Sequence, residues 1–201
     1  MVYDEIDPEE LAPWRSPLAG ALHRNSSLPQ SRYLQLATVN LEGCPANRTV
    51  VFRGFLEGTN RLKIISDRRS QKIEQIEQNP LAEACWYFTK TREQFRLAGK
   101  ITVVKAEDFD TKLKQIRASV WQEISDAARV QFAWPSPGEK RAEAAAFELA
   151  SPDKIEPSFN FCLLLLEPIK VEHLELRGDP QNRWLYQRDG SGLWSTLAIN
   201  P

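Results

Sequence analysis

A chain of 201 residues with 26 basic and 27 acidic side chains has the size of one ordinary domain and can bury a proper core. Its formal charge of −1 argues against a nucleic-acid surface, which carries a strong basic excess, and gives no reason to expect binding to an acidic membrane. Cys44, Cys85 and Cys162 are odd in number and far apart, so the expectation is free thiols in a reducing, cytoplasmic setting and no disulfide framework.

The opening stretch MVYDEIDPEE is acidic and lacks a long apolar run, so no signal peptide is expected. Trp14, Leu18 and Leu22 then space out a short amphipathic helix within residues 1–30. RYLQLATV (32–39) reads as a strand closed by the turn NLEGCP. NRTVVFRGFLE (47–57) and RLKIIS (61–66) form a hairpin across EGTN. A short helix follows within SDRRSQKIEQIEQNP (66–80), with Ser70 as N-cap, Ile73 and Ile76 as the apolar stripe and Pro80 as the stop. EACWYF (83–88) and EQFRLAGKITVVK (93–105) make a second hairpin across TKTR. A longer helix is expected over 108–125, with Leu113, Ile116, Val120, Trp121 and Ile124 on one face. WPSPG (134–138) separates it from an alanine-rich helical piece at 139–150. Strands near 160–176, 183–188 and 193–199 complete the chain, the last two joined at Asp189–Gly192. FCLLLLEP (161–168) is too short to span a bilayer. About seven strands on either side of a helical middle, against three or four helices, predict an α+β fold with an antiparallel barrel, in one domain over residues 1–201.

Most catalytic signatures are missing. His23 and His173 are 150 residues apart, no CxxC or HxxxH pair offers zinc ligands, and there is no GxSxG elbow, GxGxxG or Walker A loop. Both histidines read as structural or solvated, and the cysteines as packed in strands.

The unusual feature is the start of the short helix. Arg68, Arg69 and Lys72 cluster where the helix already presents about half a positive charge, an arrangement that costs about 0.3–1 kcal/mol per cation. An anion would reverse that sign, because backbone N–H groups and side-chain cations converge on it. Phosphate suits the Ser70 hydroxyl, the Arg69 guanidinium and the Lys72 ammonium; simple solvation of the same residues is the alternative. Arg48 and Arg53 add weight, since both share a strand with Val50, Val51 and Phe52, where an arginine is expensive unless paired or bound to a ligand. Five positions apart, they face opposite sides of a regular strand. Gln94 and Arg96 place polar groups on one face of a later strand, suited to the edge of a planar heterocycle.

NRTVVFRGF, LKIISDRRSQKIEQIEQNP, CWYF…REQFRLAGK and RWLYQR together resemble the pyridoxamine 5′-phosphate oxidase family of FMN-binding split barrels, in order and spacing, over roughly residues 30–105 and 160–201. The resemblance is strongest to the branch found in cyanobacteria and plants. It implies an antiparallel split barrel and a homodimer with FMN in grooves at the subunit interface. It assigns Arg48 and the backbone of Thr49, Val50 and Val51 to the FMN phosphate and ring side. Arg53 takes the place of a lysine near flavin and substrate, and Ile65 and Ser66 that of a tyrosine–threonine pair. Ser70 and Lys72 match the phosphate-binding serine and lysine. Gln71 replaces a family arginine, whose charge Arg69 is expected to supply. Gln94 and Arg183 match the glutamine and late arginine that reach the isoalloxazine.

The substrate side departs from the family. An Arg-x-His pair is replaced by Asp179-Pro180-Gln181, and an ungapped register on Trp134 sets Trp121, Ser125 and Arg129 where the family has a tyrosine, an arginine and a serine. The expectation is an FMN-binding oxidoreductase whose small-molecule substrate is not one of the vitamin B6 phosphates. The alternatives are a flavin sensor, carrier or reservoir without turnover, and, more distantly, a barrel that binds nucleic acid through its basic patch.

Overall fold

In a computed structural model that describes residues 11–201, period-two alternation of large apolar side chains builds eight strands: β1 (Tyr33–Val39), β2 (Pro45–Phe55), β3 (Leu62–Asp67), β4 (Leu81–Phe88), β5 (Glu93–Val104), β6 (Phe161–Glu175), β7 (Asn182–Arg188) and β8 (Trp194–Ile199). Each of the eight coincides with a segment read as a strand from the sequence, so the total of about seven was a low count of the same segments. The acidic opening stretch lies outside the described residues. All neighbours are antiparallel, in the order β3-β2-β1-β4-β5-β6-β7-β8, and β3 also pairs with β6. The first six strands therefore close into a barrel, and β7 and β8 extend β6 beyond it. This is the expected α+β split barrel.

Among the described residues, four α-helices accompany the strands: α1 (Arg15–Arg24), α2 (Gln71–Gln78), α3 (Thr111–Glu123) and the single turn α4 (Asp126–Arg129). Asp110 caps α3 by accepting from the Leu113 N–H at 3.0 Å. Residues 139–150 correct the sequence reading, because only Ala144–Phe147 forms a 3₁₀ turn. The alanines there bury no apolar face, and a short helix without tertiary packing is marginal in water. No helix among the described residues is long and apolar enough to cross a membrane.

Strand β6 has buried side chains on both faces from Phe161 to Leu166. Cys162, Leu164 and Leu166 join Leu34, Leu36, Phe52, Ile64, Trp86 and Phe95 in the barrel interior. Phe161, Leu163 and Leu165 point the other way and pack with Leu113, Val120, Trp121 and Phe132 of the helical layer. Asp67 to Leu62 of β3 pair with one edge of this segment, and Val104 onward of β5 with the other. Farther along, β6 exchanges β3 for β7, at a bulge opposite Ala98 and Gly99 that contains Pro168. At Gly99 the backbones approach so closely that a Cβ would sit 2.0 Å from the Glu167 carbonyl oxygen.

Cys85 and Cys162 both sit in strands, partly and fully buried respectively, and burial raises the pKa of each thiol. Cys162 is buried against the Ser66 carbonyl, and burial pushes its thiol pKa up to about 12. Cys44 departs from the expectation, since it is exposed in the turn before β2. His173 is buried, stacks on Phe95 with centroids 4.0 Å apart and pairs through Nε2 with Glu93 at 3.0 Å.

Gly99→Ala is expected to destabilise the protein by about 1–3 kcal/mol or more, because the clash is with backbone and not with a movable side chain. The check is the urea midpoint, and an unchanged midpoint would contradict the close approach.

Candidate functional site

Where β2 and β3 meet the helical layer, a cleft of about 840 Å³ opens. Its floor comes from Arg48, Thr49, Val50, Val51 and Arg53 of β2 and from Ile65, Ser66 and Asp67 of β3; Arg69 and Lys72 stand at one end. The opposing wall is built by Phe132, Trp134 and the following loop as far as Phe147. Nine of the twelve residues singled out from sequence thus line one cleft. Ser70 joins them through its hydroxyl, 3.3 Å from that of Ser66. Gln94 and Arg183 do not line it.

Arg48 and Arg53 reach the same cleft despite their odd spacing, so the opposite-face reading of a regular strand does not separate them. Strand β2 carries a bulge between Phe52 and Phe55, with Gly54 at φ +96°. That left-handed conformation favours glycine and turns the strand at Arg53.

The electrostatics separate the cations into two groups. Arg48 is held entirely by neutral acceptors: the carbonyls of Leu36 and Ala46 at 3.2 and 3.0 Å, Thr38 Oγ1 at 2.6 Å and Gln75 Oε1 at 2.8 Å. Lys72 donates to Ser66 Oγ at 3.1 Å and Ser70 Oγ at 3.0 Å. Arg53 has a buried Nε with no hydrogen-bond partner. No carboxylate among the described residues forms an ion pair with these three. Burial holds the pKa of each below its ordinary value, and the neighbouring Arg48 lowers Lys72 further. Half-buried cations without counter-ions are costly, and an anion entering the cleft removes that cost.

Arg68 and Arg69 belong to the other group. Arg68 pairs with Glu107 at 2.7 Å and lies over the Phe159 ring. Arg69 pairs with Asp67, whose hydrogen bonds raise its pKa. Of the three cations that crowd the start of α2, Lys72 alone is without a carboxylate partner among the described residues. Ser70 occupies the N-cap position, but its side chain does not cap the helix. Its hydroxyl donates instead to the Asp67 carbonyl at 2.8 Å and accepts from Lys72.

Gln94 of β5 and Arg183 of β7 lie in one row elsewhere on the sheet, on either side of Leu174 of β6. Arg183 is bonded to Glu172, whose pKa falls to about 2. Arg96, in the same region, is held by Glu83 at 2.6 Å. Arg129 is buried and donates to the carbonyls of Trp121 and Ile124 and to Asp126, with its Nε left without a partner, and it does not line the cleft.

Sequence reasoning missed Asp67 and the far wall. Asp67 was legible as the acid within SDRRS. Lys140, Arg141 and Phe147 carried no signal, because irregular chain brings them over the cleft. The clustering of Glu93, His173 and Glu175, with ligand atoms within 4.8 Å, was also hidden by sequence distance. Glu93 there already pairs with Arg24 at 2.7 Å and with His173, which accounts for the group as an ion-pair cluster.

The residues fit a phosphate-bearing planar cofactor. The cleft volume lies within the range of small-molecule sites, the Lys72 end offers a cation and hydroxyls, and the buried donors Arg53 Nε and Trp134 Nε1 lack acceptors.

Lys72→Ala is expected to weaken FMN binding about 10- to 100-fold, the equivalent of one charge-assisted bond of about 1.5–3 kcal/mol. Riboflavin, which has no phosphate, should lose far less. Fluorescence titration with both flavins is the check, and equal losses would contradict the phosphate assignment.

Comparison with known proteins agrees with this geometry. A family-level sequence model described as pyridoxamine 5′-phosphate oxidase, FMN-binding domain, matches residues 11–105. The Arabidopsis thaliana protein named pyridoxine/pyridoxamine 5′-phosphate oxidase 2 is 42% identical over 195 residues, covering 95% of this chain and 98% of its own length. A crystal structure of a pyridoxamine 5′-phosphate oxidase-related, FMN-binding protein from Nostoc punctiforme superposes with a TM-score of 0.92 at 61% identity, covering 94% of this chain and 98% of that one. PhzG from Burkholderia lata, solved with tetrahydrophenazine-1-carboxylic acid, shares the fold with a TM-score of 0.77 at 18% identity, covering 100% and 98% of the two chains. The chain belongs to the pyridoxamine 5′-phosphate oxidase family of FMN-binding split barrels.

Proposed function

We propose that the protein is an FMN-dependent oxidoreductase acting on a small molecule other than the vitamin B6 phosphates. The observation that carries the reading is the cleft with three half-buried cations, Arg48, Arg53 and Lys72, none of which forms an ion pair with a carboxylate among the described residues. Lys72, with Ser66 and Ser70, holds the cofactor phosphate. The backbone of Thr49 to Val51 and the side chain of Ile65 flank the ring, and Arg53 stands where ring and substrate meet. Bound FMN supplies the redox chemistry, and the chain supplies position, electrostatics and exclusion of water. A flavoenzyme of this kind does not depend on a protein acid–base pair, which suits the poverty of catalytic signatures. The three unpaired thiols suit a reducing, cytoplasmic setting.

The same reading includes a homodimer in which a second copy brings Gln94 and Arg183 to the flavin. Its support is their position together on the sheet and outside the cleft. Tyr33 and Tyr87, 46% and 41% exposed, lie on strands β1 and β4 and offer apolar surface for such a contact. Sedimentation at micromolar concentration is expected to give a dimer that carries flavin absorbance. A flavin-loaded monomer would rule out the shared site.

Substrate phosphate is the weak point of any B6 reading. Asp179 replaces a family arginine, Arg129 is buried in its own hydrogen bonds, and Arg96 is bound to Glu83. These commitments also favour a second reading, flavin binding without turnover. The name of the Arabidopsis relative makes pyridoxine and pyridoxamine phosphates the first compounds to test. Steady-state oxidation under air is expected to be at least 10- to 100-fold slower in kcat/KM than with an authentic oxidase, the loss that follows from one missing charged bond. A comparable kcat/KM would overturn the substrate proposal. Bleaching of the bound flavin by some other reductant would separate an enzyme from a carrier.

A further inference from the structure

Arg69 stands at the phosphate end of the cleft, yet its hydrogen bonds run elsewhere. Its Nε and Nη2 grip the two carboxylate oxygens of Asp67 at 2.9 and 2.6 Å, and its backbone N–H donates to Asp67 Oδ1 at 2.8 Å. Its Nη1 donates to the Trp134 carbonyl at 2.9 Å, and Nη2 also reaches the Phe132 carbonyl at 3.5 Å. Four of the five guanidinium N–H groups are therefore committed, and the charge is matched by Asp67. The Phe132 carbonyl is held from the other side by Asn160 Nδ2 at 2.9 Å. The Phe132 ring packs against Trp121 and Phe161, while Trp134 continues along the cleft and meets Phe147 with centroids 5.7 Å apart.

We propose that Arg69 is a positioning residue: locked to Asp67, it clamps the 132–134 backbone to the end of β3 and holds the far wall of the cleft over the ligand, leaving the phosphate to Lys72. A planar fork can bond a carboxylate and two carbonyls in fixed directions, whereas an ammonium acts as a point charge. The clamp joins the barrel to the helical layer beside Ser66, so the gap between floor and wall is set there. The ligand identity in this inference rests on the flavin reading of the cleft; the clamp itself does not.

Riboflavin separates the two roles, because it meets the wall but has no phosphate. With the clamp, Arg69→Ala and Asp67→Asn each weaken riboflavin binding about 5- to 10-fold in fluorescence titration, and the double variant is no weaker than either single one. Arg69→Lys, which keeps the charge and loses the fork, fails to restore riboflavin affinity. Iodide quenching of the bound flavin rises in the same variants, and hydrogen exchange quickens within residues 130–137. Unchanged riboflavin affinity in Arg69→Ala, with FMN affinity reduced and restored by Arg69→Lys, would overturn the proposal and make Arg69 a phosphate ligand. Tighter FMN binding by Asp67→Asn with no change for riboflavin would overturn it equally. If Arg69→Ala does not fold, Asp67→Asn carries the same comparison. Should the wild-type chain bind neither flavin, the cofactor reading fails, and exchange within 130–137 still decides whether the clamp exists.

Discussion

Burial on both faces of a single strand organises this molecule. From Phe161 to Leu166, alternate side chains of β6 enter two different cores, the barrel interior and the underside of the helical layer. A strand so placed tolerates no register slip, because a shift of one residue would exchange the two sets. The same segment pairs with β3, which carries Ile65, Ser66 and Asp67 into the cleft, while its outer face seats Phe132 and orients the wall that follows. Floor and wall are thus two products of one strand. The bulge at Pro168 then releases β6 from the barrel so that it can also template β7 and β8.

Charge placement inside the cleft follows a consistent logic. Carboxylates neutralise the arginines that face the helical layer, Arg68 and Arg69, whereas the cations that face the cavity rely on hydroxyls, amides and carbonyls. Neutral acceptors satisfy N–H groups without cancelling charge. They fix Arg48 and Lys72 in place while leaving a positive potential for an incoming anion. Asp67 also lines this end of the floor; it is paired with Arg69, and burial and Arg48 outweigh its pull on Lys72.

Much of this was legible in the sequence, for identifiable reasons. Strands announced themselves by alternation, and α3 by the spacing of Leu113, Val120, Trp121 and Ile124. The cations at 68–72 were conspicuous because they offend the helix dipole, yet charge alone could not distinguish Lys72 from Arg69. That distinction depends on where the Phe132 and Trp134 carbonyls fall, and these arrive from over sixty residues away in irregular chain. The alanine-rich stretch misled because propensity favours a helix there, while none of residues 144–147 is fully buried against the rest of the fold. The odd spacing of Arg48 and Arg53 misled because a bulge lies between Phe52 and Phe55, which a strand period cannot anticipate.

The uncompensated cations have a consequence for the life of the protein in a cell. Desolvation of Arg48, Arg53 and Lys72, together with the repulsion of Lys72 by Arg48, burdens the folded chain most when no anion lies among them. A ligand at 100 times its dissociation constant adds about 2.7 kcal/mol to folding stability, a large share of the margin of an ordinary domain. Differences of that size change how much of a protein survives surveillance by chaperones and proteases. Loss of bound flavin is therefore expected to lower the folded fraction of this chain.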